Sequence, residues 1–190
     1  MGIKFDIEIT LESIDIEKLL LSMQSFNPEK IISIDNWNYE NEKDISDTQI
    51  NRLSSLPDSG KILQIYTSSE HDGAFIYRNN GRYICDLFFE CADKNLDSSC
   101  VTEDNKDFYF KAMDFVEECF SKFGICHAAF GCEISISDKA DISEKIDSSH
   151  NVNMWAINKN IPVKMSEKFT RLENDNFTIF FKNKETKNET

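Results

Sequence analysis

The chain has 190 residues, of which 40% are hydrophobic, and its 34 acidic and 21 basic residues give a formal net charge of -13. This length indicates one domain, and 15 Phe in so short a chain exclude disorder caused by low hydrophobicity. No stretch approaches the roughly 18 unbroken apolar residues of a membrane-spanning helix, and the N-terminus lacks the pattern of a signal peptide, so we expect a cytoplasmic protein.

The negative charge is unevenly distributed along the chain. Residues 1–150 contain 29 acidic and 14 basic residues, whereas residues 151–190 contain 5 acidic and 7 basic residues. A protein that binds nucleic acid or an anionic membrane concentrates Lys and Arg on one face, where they displace counterions from phosphates. We therefore expect neither nucleic acid nor a membrane as a partner.

The first sixty residues predict a β-α-β start followed by a capped helix. Residues 4–10 alternate polar and apolar side chains, which is the period of a strand with one buried face. Residues 31–34 are β-branched and predict a second strand, and residues 46–55 begin with the spacing of a capping box. After Ser13, helical spacing predicts a helix that ends before Pro28 and buries a stripe of Ile16, Leu19, Leu20 and Met23.

The next segment predicts an antiparallel meander of three strands. The strands cover residues 62–66, 74–78 and 83–91. Asn80-Gly81 stands between the second and third strands, and this dipeptide favours the type I′ turn, whose two central residues need positive φ. In the third strand the odd positions form a continuous apolar face of Tyr83, Cys85, Leu87, Phe89 and Cys91.

The C-terminal half begins with the longest predicted element. Apolar residues over 108–123 fall at helical spacing, and Gly124 follows where a left-handed C-cap residue is favoured. Residues 152–155 fit neither the helical nor the strand period. The other predicted elements are a strand over residues 130–136, a short helix over 139–146, and a hairpin of residues 169–172 and 177–181.

Together these elements predict the α+β class. We expect a mostly antiparallel sheet with a central meander, on which one long helix and one or two shorter helices pack. Residues 1–182 are predicted to form a single domain, and residues 183–190 a solvated C-terminal tail.

The six cysteines contain no C-x-x-C pair, so neither a zinc ribbon nor a thioredoxin-like redox motif is predicted. We expect no metal and no cofactor. Cys85, Cys91 and Cys119 lie on apolar faces and are predicted to be buried, whereas Cys100 lies in a polar loop and is expected to be exposed. Adjacent residues of a strand point to opposite faces, so a Cys-His enzyme would have to pair Cys126 with a histidine distant in sequence.

Carboxylates cluster around the third strand of the meander. Asp86 and Glu90 share its even-numbered face, and Asp72 lies in the hairpin loop nearby. Such a cluster can bind a hard cation or act in acid–base catalysis, which would make the chain a small hydrolase or nuclease-like enzyme. The alternative is a solvated sheet face that Ile84 and Phe88 interrupt.

Residues 35–44 are predicted to form a loop with two large aromatic side chains among four acids. Aromatic side chains at the centre of a surface patch anchor a partner, while carboxylates accelerate the approach of a basic protein. The alternative is that Trp37 packs back into the core. The predicted protein-binding site comprises Asp35, Trp37, Tyr39, Glu40, Glu42, Asp44, Asp72, Asp86 and Glu90.

In length, acidity, α+β pattern and lack of a catalytic motif, the chain resembles, as a class, the small cytosolic immunity proteins that protect bacteria from toxins of neighbouring cells. The resemblance is one of class and not of motif, so it assigns no role to any particular residue. It implies tight binding of a basic toxin domain, often a nuclease, by a surface that blocks the active site. The enzyme described above and a homodimeric structural or regulatory protein are the alternatives.

Overall fold

A large antiparallel sheet organises the fold, which we describe from a computed structural model. For residues 32–35, 38, 39, 43, 44, 147 and 148 the description is of the backbone. The structure describes residues 3–35, 38, 39, 43, 44, 53, 55–68, 71–91, 96, 100–134, 142–148, 151–164 and 167–183.

The sheet confirms the predicted α+β class and its antiparallel meander. Its strands, in chain order, are β1 (Lys4–Leu11), β2 (Pro28–Asp35), β3 (Asn38–Tyr39), β4 (Lys43–Asp44), β5 (Ile62–Thr67), β6 (Gly73–Asn79), β7 (Arg82–Glu90), β8 (Ile125–Cys132), β9 (Val152–Asn158), β10 (Phe169–Glu173) and β11 (Phe177–Lys182). In space the order is β10-β11-β9-β8-β1-β7-β6-β5-β2-β3, and β4 also pairs with β2. The predicted meander is β5-β6-β7, and the predicted C-terminal hairpin joins the same sheet through β9.

The helical part of the prediction is confirmed only in part. The predicted long helix is α2 (Lys106–Phe123), but the other two described helices, α1 (Ile16–Ser22) and α3 (Ile142–Ser148), have seven residues each. Most of the helix predicted over residues 46–55 lies outside the described residues. None of the described helices is long and apolar enough to cross a membrane.

Local chemistry explains where the helices and turns begin and end. Asp15 caps α1, because its Oδ1 accepts a hydrogen bond of 3.2 Å from the backbone N–H of Lys18. α1 continues as a 3₁₀ turn that Asn27 ends with a φ of 52°. The predicted type I′ turn between β6 and β7 is confirmed by positive φ angles of 50° and 81° at Asn80 and Gly81.

Four expectations are corrected by the sheet pairing and by local backbone geometry. The predicted loop over residues 35–44 contains β3 and β4, which pair back onto β2. The strand predicted over residues 130–136 is β8, which starts five residues earlier and ends before Glu133, whose φ is 50°. Residues 152–155, which fit neither period, belong to β9, since a strand buried on both faces shows no alternation. Cys100 is buried and not exposed, and its carbonyl accepts a hydrogen bond of 3.4 Å from the side-chain amide of Asn105, just before α2.

The sheet has two differently covered faces. On the first, which we name the α1–α2 face, the odd residues of β1 pack with β5, β6 and β7 against α1 and α2. Aromatic rings meet edge to face there, with 5.6 Å between the centroids of Phe5 and Tyr109. As predicted, Cys85, Cys91 and Cys119 are buried within this core.

The second face, which we name the opposite face, carries a smaller apolar core at its β9–β11–β10 end. Trp155 of β9 packs there with Phe180 of β11 and Ile146 of α3. Nearer the centre the same face is polar, because the even residues of β1 are Lys4, Asp6, Glu8 and Thr10. The opposite face therefore combines an apolar end with a polar centre.

Candidate functional site

The predicted binding segment lies at one edge of the sheet. Asp35 stands opposite Asn38, and Asp44 stands opposite Lys30, in the short pairings that β3 and β4 make with β2. The side chains of Asp35, Tyr39 and Asp44, and all of Trp37, Glu40 and Glu42, lie outside what the structure describes. Their role in binding stays a prediction.

The structure separates parts of the predicted site from one another. β5 runs beside β2 from Ile62, opposite Ile34, to Thr67, opposite Pro28. Asp35 therefore lies near the first end of β5, whereas Asp72 lies near the second, where its carbonyl accepts a hydrogen bond of 3.2 Å from the N–H of Thr67. The two positions are on the order of 17 Å apart along the strand direction.

Asp72 and Glu90 are brought together, but as part of the scaffold. Asp72 is 6% exposed, and its Oδ1 accepts a hydrogen bond of 3.0 Å from the backbone N–H of Glu90. Glu90 is half-buried and its Oε2 lies 3.7 Å from Nδ1 of His71. Asp72 thus joins the β5–β6 turn to the end of β7 and exposes little charge.

Asp86 is half-buried and belongs to a row of carboxylates on the opposite face, whose other members, Asp6 and Glu8, are buried. Glu8 stands directly opposite Asp86 in the β1–β7 pairing, and Asp6 lies two residues along β1. Burial raises the pKa of Asp86 to about 8, and the charges of Asp6 and Glu8 contribute to the increase. Burial also raises the pKa of Asp6 to about 6, although the N–H of Ile134 donates to its Oδ2 at 3.0 Å and opposes the increase.

This carboxylate row, Asp6, Glu8 and Asp86, is neither the solvated face nor the steering surface that the sequence predicts. Asp86 holds a proton at neutral pH and adds no charge to the surface there. Asp6 and Glu8 are not among the predicted site residues, although their alternate positions in residues 4–10 place them on one face. Among the described residues, no group of three or more His, Cys, Asp or Glu side chains could hold a metal ion.

Cys126 and His127 do not act on each other. The thiol of Cys126 accepts a hydrogen bond of 2.7 Å from Nη1 of Arg82, and Glu12 lies beyond it. Burial raises the pKa of Cys126 more than Arg82 lowers it, so the thiol stays protonated at neutral pH. His127 lies 3.2 Å from the hydroxyl of Thr10 through its Nε2, and burial lowers the pKa of His127 to about 3.

The outer face of α2 carries an exposed aromatic residue that is not among the predicted site residues. Phe110 is 64% exposed, while the opposite side of the helix is buried in the core. Asp107 precedes Phe110 by three residues and Asp114 follows it by four, so all three share one exposed stripe. A signal was present in the sequence, because Phe110 falls outside the apolar stripe of its own helix.

The basic side chains of α2 have partners other than these acids. Lys106 and Lys122 form ion pairs with Glu103 and Glu118, and the ammonium of Lys111 lies 4.9 Å from the ring centre of Phe26. Within the described part of the chain, no ion pair involves Asp104, Asp107 or Asp114. We name Asp107, Phe110 and Asp114 of α2, together with the exposed Asp104 just before it, the α2 acidic stripe.

Comparisons with known proteins give little. No protein-family model matches the chain, and no curated protein sequence matches it. Among solved structures, a Pseudomonas aeruginosa T6SS protein is similar with a TM-score of 0.49 and 7% sequence identity, over 95% of this chain. The chain spans 64% of the length of that protein. A similarity of this size assigns neither a family nor a function.

Proposed function

We propose that the chain binds and neutralises a basic protein partner, in the manner of an immunity protein that blocks a bacterial toxin. The observation that carries the proposal is the α2 acidic stripe, in which the exposed ring of Phe110 stands between Asp107 and Asp114. The stripe combines an apolar anchor with negative charge on a rigid helix.

Phe110 supplies the anchor. An aromatic side chain that enters a pocket of a partner loses its contact with water, and full burial of a Phe is worth about 2 kcal/mol. Because α2 is held by its buried side, Phe110 is presented without the entropic cost of ordering a loop.

Negative charge supplies the attraction. The chain carries -13 in total, and its acidic excess lies in residues 1–150, which contain α2. Such a field accelerates the association of a basic partner and weakens as salt screens it. Carboxylates on the stripe could then occupy the positions that substrate phosphates take in a nuclease, which is how an acidic inhibitor blocks such an enzyme. The predicted segment with Trp37 and Tyr39 would add a second contact.

The experiment uses, as the candidate toxin, the C-terminal domain of the protein that the neighbouring reading frame encodes. The wild-type chain is expected to protect cells that express this domain and to form a one-to-one complex whose association slows with salt. Phe110→Ala is expected to weaken the complex at least tenfold, and Asp107→Lys with Asp114→Lys to slow association.

Two matched controls keep this experiment specific. Leu21→Ala truncates another exposed apolar residue, on α1, and Glu144→Lys reverses an exposed acid on α3. Both are expected to bind like the wild-type chain. A neighbouring domain that the wild-type chain neither binds nor inhibits would refute the proposal, and equal losses in Phe110→Ala and Leu21→Ala would refute the role of the stripe.

The carboxylate row favours a second candidate function, acid–base catalysis. A carboxyl group that keeps its proton at neutral pH can serve as a general acid, and Asp86 is such a group. Asp86→Asn separates the two functions, because the amide keeps the shape of the side chain and cannot transfer the proton. If the chain neutralises its partner by binding, this variant is expected to protect cells fully. If the carboxylate row acts in catalysis, the variant is expected to lose that protection.

A further inference from the structure

Among the described strands, the outer edge of β10 is an open sheet edge. β10 pairs with β11 on one side, and no described strand lies on its other side. All its residues after Phe169 are exposed. An open edge presents unpaired backbone N–H and C=O groups, which can pair with a strand of another chain.

The hairpin fixes which residues of β10 present these groups. Asn174 donates its N–H to the carbonyl of Phe177 at 3.1 Å, and Asn183 donates to the carbonyl of Lys168 at 2.9 Å. Hydrogen-bonded pairs alternate along an antiparallel ladder, so the even residues of β10 point their backbone groups toward β11. The backbone groups of Phe169, Arg171 and Glu173 therefore point outward.

Charge then selects one self-complementary register. Two copies of β10 related by a twofold axis can pair antiparallel only if outward residues face outward residues. A centre at Leu172 places Arg171 opposite the partner's Glu173, and the symmetry repeats this favourable pair. A centre at Arg171 would oppose two guanidinium groups, and a centre at Glu173 would oppose two carboxylates.

The side chains on both faces of β10 suit the same register. On one face, Arg171 and Glu173 form an ion pair within the chain, so two copies would join four alternating charges. On the other face, Leu172 is 55% exposed and stands opposite the half-buried Ile179 of β11. At a non-hydrogen-bonded position the two Leu172 side chains approach closely and continue the apolar strip of β11 into the second copy.

We propose that the chain forms a homodimer by antiparallel pairing of β10 with β10 of a second copy, centred at Leu172. The sheet then continues through both copies, and the open edge is closed. Five residues a side give a small interface, so the dimer is weak and forms at micromolar concentrations or above. The α2 acidic stripe is not part of this interface. An experiment that refutes the dimer therefore does not refute the proposed partner binding, and the reverse also holds.

Sedimentation of the full chain over a concentration series tests the proposal. The wild-type chain is expected to show a concentration-dependent dimer. Arg171→Glu opposes two carboxylates at each pair, and Glu173→Arg opposes two guanidinium groups, so each variant is expected to weaken the dimer about tenfold. The double variant Arg171→Glu with Glu173→Arg restores both pairs and is expected to dimerise like the wild-type chain.

A mixture of the two single variants gives the sharpest result. Each single variant loses its own ion pair, but in a mixed dimer both carboxylates of the Arg171→Glu chain stand opposite both guanidinium groups of the Glu173→Arg chain. The mixture is therefore expected to form a heterodimer as strong as the wild-type dimer. Lys164→Glu, an exposed charge reversal outside β10, is expected to change nothing, and circular dichroism verifies that every variant is folded.

Three results would overturn the proposal. They are a wild-type chain that stays monomeric throughout the concentration series, a dimer that both single variants form unchanged, and a mixture that associates no better than either variant alone.

Discussion

The two faces of the sheet bury the same strand in opposite ways. The odd residues of β1 enter the α1–α2 face, where they pack against apolar side chains from helices and neighbouring strands. Its even residues enter the opposite face, where Asp6, Glu8 and Thr10 are also buried. An apolar face is stabilised by packing alone. On a buried polar face, each polar group must form a hydrogen bond and each ionisable group must be paired or lose its charge.

The opposite face contains both hydrogen-bonded polar groups and an ionisable group without charge. The carboxyl group of Asp86 is uncharged because its raised pKa keeps it protonated at neutral pH. Asp6 accepts a hydrogen bond from the backbone of Ile134, and Thr10 bonds His127, whose lowered pKa keeps the ring neutral. Polar burial on this face therefore makes folding sensitive to pH near neutrality, whereas the buried Cys119 and Tyr109 of the α1–α2 face have raised pKa values and titrate only at alkaline pH.

Truncation within the α1–α2 face has the largest expected effect. Phe5 is fully buried among Phe108 and Tyr109, so Phe5→Ala is expected to lower the free energy of unfolding by about 3–5 kcal/mol. Phe110→Ala makes the same chemical change on the exposed side of α2 and is expected to change it by less than about 0.5 kcal/mol. Urea denaturation measures both, and equal losses would contradict the assignment of the core.

The free energy of unfolding, measured over a range of pH, tests whether Asp86 is protonated in the folded chain. Asp86 binds its proton more tightly in the folded chain than in the unfolded chain, so stability is lost as pH rises from about 4 to about 8. Between pH 6 and pH 8 we expect the wild-type chain to lose about 2 kcal/mol, because Asp6, which is half titrated at pH 6, adds a smaller loss that the neutral His127 offsets.

Asp86→Asn is the matched variant for that series. Its amide does not titrate, so its free energy of unfolding is expected to stay nearly constant from pH 6 to pH 8 and to exceed the wild-type value at pH 8. Parallel pH profiles of the two proteins would show that Asp86 is ionised in the folded chain and would remove the contrast between the faces.

Removal of one polar contact on the opposite face has the smallest expected effect. Thr10→Val keeps the shape of the side chain but loses the hydroxyl that bonds Nε2 of His127, which is expected to cost about 1 kcal/mol. Ser121→Ala removes an exposed hydroxyl of α2 and is the control, with an expected change below about 0.5 kcal/mol. Indistinguishable losses would show that the Thr10–His127 contact contributes nothing to stability.

By itself, the sequence determined the features that depend on neighbours along the chain. Asn80-Gly81 specified its turn because positive φ is a property of those two residues. The apolar faces of β7 and α2 followed from the strand and helix periods, and so did the burial of Cys85 and Cys119. The same periods place Asp6, Glu8 and Phe110 on particular faces, but they do not say what covers those faces.

Tertiary structure alone decided the rest, because it depends on residues distant in sequence. The pairing of β1 with β7 brought Glu8 opposite Asp86, burying Glu8 fully and Asp86 in part, so that an alternating polar pattern became a row of carboxylates in which Asp86 is uncharged. Tertiary packing buried Cys100, and packing of the other side of α2 left Phe110 exposed. The sheet order placed β10, with Arg171 and Glu173, at an edge that carries no further described strand, which no local pattern reveals.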